Sequence, residues 1–263
     1  MILLMDGDFL KLSIIGASLQ GRGHMADGVE CQDYFEKYES NGIYAVALSD
    51  GAGSKIHSYY GARAVVPAII KYLADNFHSL IVTSDRGIEK SVLKIGVQAL
   101  REQSENISDF ACTLLFFVTD GERYICGNIG DGKIFSYDNH ASLLMYGESG
   151  NPVNETNYIS VATASLYFKV IKGYFGSNTL FLLATDGIGN LLFDRSSNKP
   201  CEALDKIKSW TEKYSEKQVE YILKENTIEV FRELTIDDVS IVLIYKNTEA
   251  INRENKNDGS AIF

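Results

Sequence analysis

Ile43-Tyr44-Ala45-Val46-Ala47-Leu48-Ser49-Asp50-Gly51-Ala52-Gly53-Ser54 and Thr179-Leu180-Phe181-Leu182-Leu183-Ala184-Thr185-Asp186-Gly187-Ile188-Gly189-Asn190 are two copies of one short pattern. In each, an apolar run rich in β-branched and aromatic residues reads as a buried strand and ends in Asp-Gly-x-Gly. Two carboxylates at strand ends, brought to one face of a sheet, make a hard oxygen site suited to Mg²⁺ or Mn²⁺. The chain holds seven Asp-Gly pairs, and Asp-Gly is also the commonest hairpin turn. Asp6-Gly7, Asp27-Gly28 and Asp258-Gly259 lie in polar or terminal stretches, and Asp120-Gly121 separates two strand-like runs, so these read as plain turns. Asp50 and Asp186 differ by a second glycine, Gly53 and Gly189, expected where backbone closely approaches a ligand.

Outward from these strands, the chain of 263 residues reads as a single domain over residues 1–245 with a polar tail over 246–263. With 45% hydrophobic and 11% aromatic residues, it has the means to bury a large core. A net charge of −10 argues against nucleic acid, which requires a basic stripe, and against an anionic membrane surface. The four cysteines have no CxxC spacing, so neither a zinc knuckle nor a redox pair is indicated, and Cys112 and Cys126 read as core thiols. Asp6, Asp8 and Lys11 interrupt the apolar start too early for a signal segment, and a cytoplasmic location is expected.

Strands are expected at 11–17, 33–38, 43–49, 110–119, 123–127, 133–137, 142–146, 158–163, 167–171, 179–184 and 239–245, with a loop over 18–31. Helices are expected where apolar residues recur at 3.6-residue spacing, from Ala62 to Phe77, Ile88 to Glu102, Glu202 to Lys213 and Glu216 to Phe231. Pro67 should kink the first or mark its start. Strands grouped apart from two helix pairs point to α+β, with two helices able to cover each outer face of a two-sheet sandwich.

Three further acids sit at strand-like ends: Asp33 after Cys31-Gln32, Asp131 in Gly127-Asn128-Ile129-Gly130-Asp131, and Asp237 ahead of Asp238-Val239-Ser240. Taken in order with Gly21, His24, Gly28, Ala111-Cys112-Thr113 and Asn154-Glu155-Thr156, the chain resembles the metal-dependent type-2C (PPM) protein serine/threonine phosphatases, most of all their compact bacterial branch. The resemblance implies a four-layer αββα sandwich of two antiparallel sheets flanked by helix pairs. It implies that Asp50 bridges two Mn²⁺ or Mg²⁺ ions and that Gly51 lends its carbonyl to one of them. Asp186 and Asp237 would complete the second ion's ligands, Asp131 would serve a weaker third, and Asp33 would orient a water. A phosphorylated protein is the implied substrate, with a cognate serine/threonine kinase behind it. Two ions that share a water lower its pKa toward about 7, so no covalent nucleophile is required.

The chain departs from the family pattern at three places. Ala52 stands where many relatives have a proton-donating histidine. The phosphate-holding arginine of relatives aligns near Gly28, which leaves Arg22 and His24 as candidate substitutes. Asn190 replaces a further aspartate, removing one anchor of a third ion. Residues 139–178 match a variable flap, and Gly147 and Gly150 fit a mobile loop there. Two other readings stay open: a non-catalytic relative that binds a phosphoprotein, and a phosphatase acting on small phosphoesters.

Overall fold

The computed structural model describes residues 11–147 and 156–247. In chain order these are β1 (Lys11–Leu19), α1 (Arg22–Asp27), β2 (Asp33–Ser40), β3 (Ile43–Asp50), α2 (Ser58–Leu80), α3 (Asp85–Gln103), β4 (Leu114–Thr119) and β5 (Arg123–Ile129). There follow β6 (Lys133–Tyr137), β7 (Ala141–Tyr146), α4 (Ala164–Tyr167), β8 (Lys169–Tyr174), β9 (Leu180–Ala184) and α5 (Asp186–Gly189). The chain continues through β10 (Phe193–Asp194), β11 (Lys199–Pro200), α6 (Ala203–Lys213), α7 (Glu216–Asn226), a π-helical turn (Thr227–Phe231), α8 (Arg232–Leu234) and β12 (Val239–Asn247).

Two five-stranded antiparallel sheets form, in the orders β1-β12-β9-β6-β7 and β2-β3-β4-β5-β8. The period of two assigns every apolar residue a layer. In β3, Val46 and Leu48 face the other sheet, while Ala45 and Ala47 face α2. In β12, Val242 and Ile244 enter the same inter-sheet core, while Ile241 and Leu243 turn outward to α6 and α7. The result is the expected α+β, four-layer αββα sandwich.

The helices follow their stripes. Val65, Val66, Ile69, Ile70, Leu73 and Phe77 of α2 are all buried, and α3 is capped by Ser84, whose hydroxyl accepts from the Gly87 N–H. Pro67 does not mark the start of α2, because the helix begins at Ser58 and runs through it. A missing N–H and a ring clash cost about 3 kcal/mol, which the fully buried stripe outweighs.

Other boundaries differ for identifiable reasons. Residues 110–113 are not strand, because their backbone groups serve the first Asp-Gly turn: Ala52 N–H bonds Ala111 O at 2.9 Å and Thr113 N–H bonds Asp50 O at 2.8 Å. Residues 158–163 form turns rather than a strand, with buried Ile159 tied to Cys112 O by a single bond of 3.1 Å. The loop over 18–31 contains α1, and the last strand runs on to Asn247. Gly147 is not loosely held, since a Cβ there would lie 1.2 Å from Gly130 O. Gly150, Asn154, Glu155 and the last residues of the tail lie outside the described residues. Among the described residues, no helix is long and apolar enough to cross a membrane.

Candidate metal centre

The β2–β3 register sets Asp33 directly opposite Asp50. Asp50 lies two residues beyond Leu48 and so shares its inward face, at the end of the inter-sheet core. Its backbone is held on both sides by Thr113: the Asp50 N–H donates to Thr113 Oγ1 at 2.9 Å, and the Thr113 N–H donates to Asp50 O at 2.8 Å. The Gly51 N–H donates to Gln32 O at 3.1 Å. The motif Ala111-Cys112-Thr113 is therefore a brace for this turn.

From the second sheet, β9 ends at Ala184, and Thr185 bridges the layers. Its N–H donates to Ser240 O at 3.1 Å, while its hydroxyl donates to Asp33 Oδ2 at 2.7 Å. Asp186 follows, and Asp131 enters from the β5–β6 junction, where it accepts a 2.6 Å hydrogen bond from the Thr156 hydroxyl. Carboxylate oxygens of Asp50, Asp131 and Asp186 all lie within 4.8 Å of one another. Asp237 is half-buried and adds its charge to both Asp50 and Asp186.

Such crowding is costly without a cation. Burial first, and then Asp33, Asp186, Asp131 and Asp237, hold the Asp50 carboxyl well above the ordinary carboxylate range. Burial, then Asp131 and Asp237, push Asp186 up to about 7, opposed by Lys133. Burial raises Asp33 as well, against the Thr185 hydrogen bond, and burial raises Asp237. Asp33 Oδ1 is buried without a hydrogen-bond partner. An all-oxygen donor set with an orphaned buried oxygen fits a hard divalent ion such as Mg²⁺ or Mn²⁺.

Within the protein, the second glycines of the two cassettes have room for a side chain. A Cβ at Gly53 would meet only Gln32 Oε1, at 3.7 Å, and one at Gly189 would rest on the Lys133 stem at 3.4 Å, both ordinary contacts. The first glycines are the tight ones: a Cβ on Gly187 would lie 2.1 Å from Asp238 O, and one on Gly51 2.8 Å from the Ser58 backbone. Protein backbone, rather than a ligand, makes these positions glycine. Asp120-Gly121 is the expected hairpin turn, with Asp120 accepting from the N–H groups of Glu122 and Arg123.

Arg22 donates to Thr235 O at 3.2 Å and sits 3.5 Å from Glu233, and it is largely exposed. His24 Nδ1 lies 2.9 Å from Asp238 Oδ2. Both bind the segment before β12. Asp238 is a clasp whose role the sequence does not betray. At 2% exposure, its two oxygens accept 2.6 Å hydrogen bonds from the N–H groups of Gly21 and Gln32, which anchors the approach to Asp33. Asp238→Ala orphans two buried N–H donors and should cost roughly 3 kcal/mol, read by urea unfolding. An unchanged midpoint would remove the clasp.

Lys133 is a further buried charge whose role its sequence position hides. It opens β6 with only 5% of its surface exposed, and its ammonium donates to Asn190 Oδ1 at 2.7 Å. Arg195 donates to the same oxygen at 3.2 Å. Burial draws the Lys133 ammonium below its usual range, with Arg195 acting the same way, while Asp186 and Asp131 push back. Its one sequence signal is the position two residues after Asp131.

The inter-sheet core of this αββα sandwich ends in a nest of aspartates with the donor chemistry to hold a divalent cation. The chain belongs to the protein phosphatase 2C family, whose pattern matches residues 20–225. It is 24% identical over 197 residues to serine/threonine-protein phosphatase 3 of Escherichia coli (strain K12), covering 71% of this chain and 78% of that one. The serine/threonine phosphatase of S. agalactiae shares the fold with a TM-score of 0.64 at 14% identity, over 89% of this chain and 99% of that one. The catalytic domain of the serine/threonine protein phosphatase PstP, in complex with two manganese ions, matches with a TM-score of 0.63 at 16% identity, over 90% and 98% of the two chains. These solved structures support the fold.

Proposed function

We propose that the protein is a metal-dependent phosphatase that removes phosphate from phosphoserine and phosphothreonine of other proteins. Its ligands would be Asp50, the Gly51 carbonyl, Asp186 and Asp237 for two ions of Mn²⁺ or Mg²⁺, with Asp131 toward a weaker third. The observation that carries this reading is the convergence of Asp50, Asp131 and Asp186 oxygens within 4.8 Å. Bound there, such ions supply an acidified water and offset charge on the phosphoryl oxygens.

The residues divide the remaining work. Asp33, with one oxygen tied to Thr185 and the other unpartnered, is suited to accept and orient the attacking water's proton. The paired backbone bonds of Asp50 and Thr113 keep the central ligand rigid, so that little reorganisation accompanies reaction. A thiol nucleophile is disfavoured: burial and the charges of Asp238 and Asp33 push Cys31 up to about 12. Ala52 offers no proton, so leaving-group protonation is assigned to solvent.

A binding-only relative has little use for so many buried like charges, which destabilise the fold unless a cation offsets them. The test uses p-nitrophenyl phosphate and a phosphothreonine peptide. Turnover with Mn²⁺ is expected to fall at least roughly 100-fold in EDTA and to return when Mn²⁺ is restored. Turnover indifferent to EDTA would sink the two-ion reading, and metal binding without turnover of either substrate would favour the binding module.

A further inference from the structure

One guanidinium near the aspartate nest meets no acid among the described residues. Arg63 of α2 has its Cζ 4.5 Å from the centroid of the Tyr34 ring and 4.2 Å from that of Tyr59. Such ring faces attract a cation, but they leave the N–H donors of the guanidinium without acceptors. Nε is buried and has no hydrogen-bond partner, and no other donor of Arg63 reaches an acceptor among the described residues. Acids are not scarce. The chain has 35 of them against 25 lysines and arginines, and Arg22, Arg86 and Arg123 each reach one. Glu36 accepts from the Tyr34 hydroxyl at 3.1 Å instead of pairing with Arg63.

Both rings stand next to the metal centre in the chain. Tyr34 follows Asp33 in β2, and Tyr59 follows Ser58, whose backbone closes on Gly51. Successive strand residues face opposite ways, so Asp33 points between the sheets while Tyr34 turns to the α2 side. Since β2 is the edge strand of its sheet, a segment entering the nest can pass around that edge to Arg63. Exposed side chains mark the same end of α2: Ile56 is 83% exposed, and Tyr60, 54% exposed, has its ring centroid 5.2 Å from that of Tyr59. A planar guanidinium is matched by a carboxylate. With a substrate's phosphate in the nest, a carboxylate is the anion it still has to offer. We infer that Arg63, presented by Tyr34 and Tyr59, receives an aspartate or glutamate side chain that flanks the phosphorylated residue of the substrate protein. This rests on the phosphatase reading above and names the kind of segment the site prefers. An extended segment advances about 3.3 Å per residue, which sets the acid a few residues from the phosphorylated one.

The test uses phosphothreonine peptides that share one sequence except for aspartate, alanine or lysine at a flanking position, scanned along the segment, with kcat/KM in Mn²⁺ as the readout. On the wild type, the aspartate peptide should exceed the alanine peptide by roughly tenfold at the best position, and the advantage should shrink as salt rises. Arg63→Gln should remove that advantage, Arg63→Lys should retain part of it, and Arg63→Glu should turn the preference toward lysine. Each ratio is taken within one variant, so a general loss of activity does not imitate the result. Equal rates on the aspartate and alanine peptides would overturn the inference from the wild type alone, whether or not a variant folds, and would leave the phosphatase reading standing. An aspartate preference that survives in Arg63→Gln or Arg63→Glu would overturn it as well. A wild type that turns over none of the peptides in Mn²⁺ would remove the phosphatase reading, and this inference with it.

Discussion

Replacing Asp50 with asparagine should lower Mn²⁺-dependent turnover of p-nitrophenyl phosphate on the order of 10³-fold while raising the melting temperature of the metal-free protein. The two effects have one cause. Asp33, Asp186, Asp131 and Asp237 all act on Asp50, so its charge repels its neighbours and would draw a cation. Asparagine keeps the shape, and the backbone bonds to Thr113 do not depend on the side chain, so the turn persists. Without metal, the variant loses a buried like charge and gains stability. With metal, it loses the central ligand and the attack on phosphorus. Kinetics in saturating Mn²⁺ and melts in EDTA read the two sides separately. Near-normal turnover would show that Asp50 is not a ligand, and a lower metal-free melting temperature would show that its charge is compensated by something other than a cation.

Much of this centre is legible in the chain because its strands are continuous apolar runs that end abruptly in acids. β3 and β9 are buried on both faces, so neither could be mistaken for a solvated strand, and Asp50 and Asp186 follow from where those runs stop. Short elements were harder. α1 has no buried residue, so it leaves no apolar stripe to detect. Residues 158–163 imitate a strand in composition, but a strand needs a neighbouring strand, and the Cys112 carbonyl offers only one bond. The least legible groups act at a distance. Asp238 binds donors 217 and 206 residues away in sequence, and Lys133 meets Asn190 across 57. A lysine at the start of a strand looks like a solvated edge charge until its partner is known. Arg22 and His24 show the converse, because their loop position suggests phosphate whereas their partners are Thr235, Glu233 and Asp238.

The metal-free protein should become more stable as pH falls from about 8 to about 5, and saturating Mn²⁺ should abolish that slope. Asp186 has its folded pKa raised from 3.8 to about 7. A raised folded pKa means that the native state binds the proton more tightly than the unfolded chain. Its contribution is therefore fully present below about pH 4 and is lost as pH rises through 7, the opposite of an ion-paired aspartate. The shift corresponds to at most roughly 4 kcal/mol, and thus to about 10 °C in melting temperature for a domain of this size. Asp33 and Asp50 shift in the same direction and steepen the trend. Asp194, lowered to about 2 by the hydroxyls of Ser196 and Ser197, and Asp120, lowered by its bonds to Arg123 and Glu122, carry the opposite sign. Their stabilisation is lost only as pH falls below the unfolded value of 3.8, beneath the window in question. Cations bound to the native nest compete with the protons. Melts in EDTA and in Mn²⁺ at matched pH therefore separate a nest built for cations from acids that are merely buried. A flat metal-free profile between pH 5 and 8 would mean that the carboxylates are already balanced within the protein, and the case for divalent ions would lose its physical basis.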